Sequence, residues 1–385
     1  MSVGVAVMSP SSFALRLALA AVVLAAGCGR SPPVEFPLNL EGRPPESVSP
    51  KQAAAIRQTL TQLFGTPNEP RVPDGAPLDP ERLAMAAGAV AGDAQGRQRG
   101  LYRRHCVTCH GIAGDGAGPA AAVLDPYPRD YRRGVFKYTS TRSGAKPIRK
   151  DLQRTLYRGV PGTAMPSFAH LAPEESEALI DYVIYLAIRG ETELYLLQLV
   201  VDEQSYLPPD MERVREEGVL SAVESWLLPE RRAAELVVEP PPRPPVDRPE
   251  ALAASIAKGR ELYLARDSQC VKCHGPEGDG NGEEKELYDD WNKSKKGVTP
   301  EQTAALARLF KLPLQRLRPR DFRKGVFQGG SGPADLYLRI CVGIKGTPMP
   351  AAGPAPGVPG PLKPDEIWHV VDYVRALAAG QQAPR

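Results

Sequence analysis

The chain has 385 residues, among them 41 Pro and 36 Gly, and its 48 Lys and Arg against 45 Asp and Glu leave a net charge of +3. Its length excludes a single hydrophobic core, which rarely organises more than about 250–300 residues, and implies two or three domains. Pro at about twice its usual share of roughly 5% predicts long irregular stretches, the near-neutral charge excludes nucleic-acid binding driven by a general basic excess, and six cysteines are too few for a disulfide scaffold.

Residues 1–28 read as an export signal. The uninterrupted apolar stretch Leu17–Ala26, preceded by Arg16, is shorter than the roughly 20 residues that a bilayer span requires and has the length of a signal-peptide core. It closes on Ala25-Ala26-Gly27-Cys28, which resembles the lipobox of bacterial lipoproteins, except that Ala25 stands where that family usually has Leu. The resemblance implies a lipidated Cys28 and a protein anchored on the periplasmic side of a bacterial membrane. The alternative is an ordinary secretory signal that leaves Cys28 as a spare thiol. Residues 29–92 read as a Pro-rich tether containing one helix, with Ser49 as its cap, Pro50 in the first turn and Phe64 at its end.

The region 93–190 contains Cys106-Val107-Thr108-Cys109-His110, and 251–380 contains Cys270-Val271-Lys272-Cys273-His274. C-x-x-C-H attaches c-type haem: both thiols add to the vinyl groups of the porphyrin, and the adjacent imidazole takes the iron. One helical turn sets both sulfurs on the same edge of the ring. A thioredoxin-like pair does not require the His, and a zinc site built from the two pairs would join ligands 164 residues apart.

The two regions agree well beyond that motif. A helix-like run ending in Gly100-Leu101-Tyr102 or Gly259-Arg260-Glu261-Leu262-Tyr263 leads into the cysteines. After them come Gly111-Ile112-Ala113-Gly114-Asp115-Gly116 and Gly275-Pro276-Glu277-Gly278-Asp279-Gly280, then Pro128-Arg129-Asp130-Tyr131 and Pro319-Arg320-Asp321-Phe322. Gly162-Thr163-Ala164-Met165-Pro166 matches Gly346-Thr347-Pro348-Met349-Pro350, and Ile180-Asp181-Tyr182-Val183 matches Val371-Asp372-Tyr373-Val374 in helices opened by Pro173 and Pro364. This is an internal duplication. The offsets between the copies place an insertion in the second at about 283–317, a charged stretch followed by an amphipathic segment, Thr303 to Phe310.

The arrangement resembles tandem class I c-type cytochromes. The resemblance implies two covalently attached haem c groups, held by Cys106, Cys109 and proximal His110, and by Cys270, Cys273 and proximal His274. Met165 and Met349 are then the distal ligands, so that the iron is held by His110 with Met165 and by His274 with Met349. A Pro after each Met stiffens the backbone that presents the soft thioether. The implied fold is mainly α and loop-rich, two helical domains in tandem. They are joined by a linker over 191–250 that is helical to 237, broken at Pro208-Pro209, and Pro-rich over 239–249.

Arg129 and Arg320 recur at equal positions between proximal and distal ligands and are expected to meet haem propionates, buried carboxylates that need a partner. His105, unmatched in the second copy, reads as a local surface residue, His170 as no ligand, His369 as a packing or surface residue and Cys341 as a buried thiol. From Arg129 to Arg158 ten basic residues face two acidic ones, whereas Glu191 to Glu239 holds twelve acidic residues against four Arg. Either the basic segment is a docking face for a partner, or the two segments pair within the molecule or are merely solvated.

A haem with a protein ligand on both faces has no open position, so electron transfer without catalysis is expected and no small-molecule substrate or nucleic acid is foreseen. The expected partners are redox proteins, with electrons taken from a quinol-oxidising complex or a dehydrogenase and delivered to a terminal oxidase or other acceptor. The alternatives are a dihaem c-type peroxidase and a haem-based sensor, each of which needs an open or exchangeable distal side.

Overall fold

The computed structural model describes residues 34–380 except 41, 93, 95, 97, 204–207, 291–298, 300, 302–303, 306–307 and 309–310. Residues 36–380 lie in one body, whereas the export signal and Cys28 fall outside the described residues. The fold is mainly α, as expected.

Helix α1 (Pro50–Phe64) starts where its cap predicts. Ser49 accepts from the Gln52 amide and Gln52 reaches back to the Ser49 amide, a capping box. Ile56, Leu60 and Phe64, spaced by four, are buried on one face. In α2 (Pro80–Ala86) the Asp79 side chain accepts from the amides of Glu81 and Arg82. Both helices pack against α6 (Pro173–Leu197), a 25-residue helix buried along most of its length.

The segment 36–86 therefore behaves unlike a polar tether: Phe36, Leu38, Ile56, Phe64, Leu83 and Ala86 join one core with Leu101, Tyr102, Leu179 and Leu186. The same core takes in Leu196, Leu197, Val214, Val219 and Trp226, from the helices between the two repeats. The helical run ends at Asp202, ahead of the expected break at Pro208-Pro209, and helix resumes at Met211, capped by Asp210, before α7 (Ser221–Arg231). Widely spaced apolar residues in a Pro-rich context show no period, so only packing reveals where they belong.

The helix-like run expected before the first cysteines is interrupted. A two-stranded ribbon, β1 (Ala91–Gly92) against β2 (Gln98–Arg99), separates α2 from α3 (Leu101–His105). Gly100 between them has φ of 70°, and a Cβ there would overlap the Ala89 backbone. The first repeat then runs through α4 (Val107–His110), α5 (Arg149–Arg158) and α6.

The second repeat is plainer. Helix α8 (Pro249–Leu264) leads to α9 (Cys270–His274), then α10 (Pro333–Val342) and α11 (Pro364–Ala378). Helices α8 and α11 cross where a Cβ on Gly259 would strike the His369 carbonyl. Leu336, Leu338, Ile367, Trp368 and Val371 form this repeat's main core.

The repeats touch through polar contacts. Arg339 of α10 donates to the carbonyls of Lys137 at 3.2 Å and Thr139 at 2.5 Å. Tyr138 donates to Gln328 at 2.9 Å, and Lys345 reaches Thr141 Oγ1 at 2.5 Å and the Ala145 carbonyl at 2.6 Å. Between the repeats, Val238 donates to the Ser140 carbonyl at 2.8 Å.

Candidate haem sites

The two sites are built by the same local rules. In the first, the amides of Cys109 and His110 both donate to the Cys106 carbonyl, at 3.1 and 2.8 Å, so the motif is one closed turn with Cys106 and Cys109 a turn apart. His110 is then aimed by two contacts. Its Nδ1 lies 3.1 Å from the Arg129 carbonyl, and the Tyr131 ring stacks on it at 4.5 Å and 21°. A carbonyl only accepts, so Nδ1 carries the proton and Nε2 the lone pair. Burial pushes His110 down to about 4, which keeps the imidazole neutral and fit to bind a metal.

The second site repeats each contact. His274 Nδ1 lies 3.3 Å from the Arg320 carbonyl, Phe322 stacks on it at 4.5 Å and 24°, and burial again lowers the imidazole pKa. Tyr102 donates to the Gly111 carbonyl at 2.9 Å, and Tyr263 to the Gly275 carbonyl at 2.6 Å, tying the preceding helix to the residue after the motif. Each tyrosine packs on the Tyr of the last matched block, Tyr182 at 4.9 Å and Tyr373 at 5.2 Å between ring centroids.

Each Met sits in the same small loop. Thr163 Oγ1 donates to the Val160 carbonyl at 2.8 Å and accepts from the Met165 amide at 3.2 Å, while Val160 N donates to the Met165 carbonyl at 3.1 Å. Thr347, Ile344 and Met349 repeat this at 2.7, 3.2 and 3.1 Å. Gly159 and Gly343, with φ of 66° and 71°, lie so close to the Met-Pro backbone that a Cβ would collide with it. The threonine and the preceding glycine hold the thioether-bearing backbone in place.

The chemistry of these donors fits c-type haem. All four motif cysteines are free thiols, each pair is followed by a neutral imidazole with its other nitrogen occupied, and a soft thioether stands on a braced loop in each repeat. Among the described residues no three His, Cys, Asp or Glu side chains gather as a metal site, which removes the joint zinc centre. The ring-stacking aromatics and the carbonyls that orient the imidazoles carried no signal beyond the Pro-Arg-Asp-aromatic block. For that block the sequence predicts only that the Arg side chains meet haem propionates.

Those side chains lie where the repeats meet. Arg129 Nε donates to the Val135 carbonyl at 2.7 Å and Nη2 to the Lys345 carbonyl at 3.3 Å, in the approach to the other repeat's Met loop. The relation is reciprocal: a Cβ on Gly346 would overlap the Arg129 guanidinium, and one on Gly162 would lie 3.8 Å from Arg320 Nη1. Each Pro-Arg-Asp arginine thus faces the Gly-Thr-x-Met-Pro loop of the opposite repeat.

Part of the basic stretch is paired within the molecule. Lys146 pairs with Glu191 at 2.5 Å, joining the basic and acidic segments directly, while Arg149 pairs with Glu177 at 2.7 Å and with buried Asp181, and Arg158 pairs with Asp335 at 2.9 Å. Asp372, the counterpart of Asp181, is bonded by Arg243 and by Ser255 Oγ, which also lies 2.7 Å from His369 Nδ1, so His369 belongs to a packed polar cluster. Cys341 is buried as expected. His105 is half-buried rather than on the surface, with its ring edge-on to Phe168 at 5.9 Å, while His170 is exposed. Among the described residues no helix is long and apolar enough to cross a membrane.

No curated protein matches the chain. Among solved structures, a chain of the reducing HAO-like protein complex of Kuenenia stuttgartiensis is similar at 25% identity and a TM-score of 0.48, over 75% of this chain and 99% of its own. The family model for cytochrome c matches residues 97–187 and 256–378, more than half of the sequence and both copies of the duplicated site. The chain belongs to the cytochrome c family, and its chemistry is haem-based electron transfer.

Proposed function

We propose that the chain is a dihaem electron carrier, with one haem c bound by Cys106, Cys109, His110 and Met165 and the other by Cys270, Cys273, His274 and Met349. Bound haem supplies one-electron storage, at a potential that a His and Met ligand pair raises. The chain's own residues do the rest. The carbonyls of Arg129 and Arg320 hold each imidazole with Nε2 as donor, the Thr-braced loops present each thioether, and the guanidiniums of Arg129 and Arg320 meet propionates at the junction of the repeats. The observation that carries this reading is the identity of the two Met loops, bond for bond. A catalytic haem needs one distal side left open, and here both are equipped alike.

We place the protein outside the cytoplasm, tethered through Cys28 to a bacterial membrane. There it moves electrons from a quinol-oxidising complex or a dehydrogenase to a terminal oxidase or another acceptor. The apolar run Leu17–Ala26 and the residues ending in Cys28 support export and anchoring. The test is a visible spectrum of the purified protein in both redox states, with haem counted per chain. Two covalent low-spin haems with the near-red Met-to-iron band, inert to peroxide and carbon monoxide, are expected. A high-spin component that reacts with peroxide would overturn the carrier in favour of a peroxidase.

A further inference from the structure

The insertion at about 283–317 has no counterpart in the first repeat, yet its described residues bind there. Arg133 Nη1 donates to the Asp290 carbonyl at 3.2 Å, and Lys311 pairs with Asp115 at 2.5 Å. Gln315 accepts from the Tyr127 amide at 2.9 Å and donates to the Leu124 carbonyl at 3.0 Å. Leu312 packs on buried Ala121.

Asp289 is the charged residue that this segment buries. It is 6% exposed. Its Oδ2 lies 3.0 Å from Lys137 Nζ, and its Oδ1, which makes no hydrogen bond, lies 3.9 Å from Arg129 Nη1. The side chains of both cations are themselves mostly buried, so their charge is costly here without a counter-charge. Arg129 holds His110 through its carbonyl and the Met349 loop through its guanidinium. Its counterpart Arg320 has no ion-pair partner among the described residues. The insertion thus gives Arg129 a buried counter-charge that its counterpart lacks among the described residues.

Building on the reading that each repeat carries a haem, we propose that Asp289 sets the potential difference between the two sites. By offsetting Arg129 and Lys137, it lowers the midpoint potential of the first site below that of the second. A buried negative charge favours the oxidised, more positive form of a nearby redox centre, and the effect is strong where water does not screen it. Asp289 acts through Arg129 and is a positioning residue. An electron shared between the two haems then resides mainly on the second.

The experiment is a spectroelectrochemical titration of the full haem-loaded chain, with haem counted in every variant. Met165→His assigns the first-site wave, because losing the Met lowers that site's potential. Asp289→Asn is expected to raise the first-site midpoint and narrow the gap. Lys137→Met, which removes a cation and stands in if Asp289→Asn does not fold, is expected to widen it. Asp335→Asn breaks an equally inter-repeat ion pair with Arg158 and is expected to move neither wave. An unchanged or widened gap in Asp289→Asn, an unchanged or narrowed gap in Lys137→Met, or equal narrowing in Asp335→Asn would overturn the proposal. A count below two haems in the unmodified chain would instead overturn the dihaem reading.

Discussion

Replacing Thr347 by Val tests whether the Met loops are built to hold a ligand. Valine keeps the branched shape, so packing is retained, while two hydrogen bonds are lost: 2.7 Å to the Ile344 carbonyl and 3.2 Å from the Met349 amide. At about 0.5–1.5 kcal/mol each, the loss comes to roughly 1–3 kcal/mol of loop rigidity. That corresponds to about a 5- to 150-fold rise in the population with the thioether withdrawn. Imidazole, which competes for the vacated position, should bind more tightly by the same factor as the near-red band fades. Thr163→Val should do the same at the first site, whose loop has equal bonds. Imidazole affinity unchanged within about twofold in both variants would refute the argument that these threonines brace ligand loops.

Phe64→Ala should cost about 3–5 kcal/mol in denaturant unfolding, because Phe64 is fully buried against Tyr185 at 6.0 Å between rings; a loss below about 0.5 kcal/mol would return the segment before residue 92 to a tether. Gly259→Ala should destabilise the second repeat by about 1–3 kcal/mol through overlap with the His369 carbonyl, and an unshifted unfolding midpoint would contradict the crossing of α8 and α11. Lys345 is pushed by burial from its ordinary 10.5 down to about 7. Between those values the unfolded chain binds more protons than the folded one, so this group makes stability rise with pH across that window. Lys345→Met should flatten the rise, and equal slopes for both proteins between pH 7.5 and 9.5 would count against a buried Lys345.

How far the sequence reached depended on whether a signal was local. The C-x-x-C-H turns, the Ser49 cap and the Pro-opened helices are short-range features, set by backbone geometry within a few residues, and each appears where expected. Duplication did the rest, since a Met followed by Pro in two equal blocks points to a ligand loop even in isolation. Long-range decisions left no such trace. Nothing local reveals that Phe36 and Trp226 share a core with the first repeat, because burial depends on partners distant in the chain. The basic stretch 129–158 suits an outside partner as well as an internal one on sequence grounds, and only the structure shows Glu191, Glu177 and Asp335 against three of its cations.

The high Pro and Gly content follows the same division. Sequence alone determined that this is a duplicated cytochrome c-type chain with two C-x-x-C-H motifs and two matched Met-Pro blocks, because haem attachment demands fixed residues at fixed spacing. Only the tertiary structure decided that the two sites face each other's Met loops and that an insertion without a counterpart delivers Asp289 between them. Charges in contact need not be neighbours in the chain, and it is packing, by removing water from between them, that makes their interaction strong.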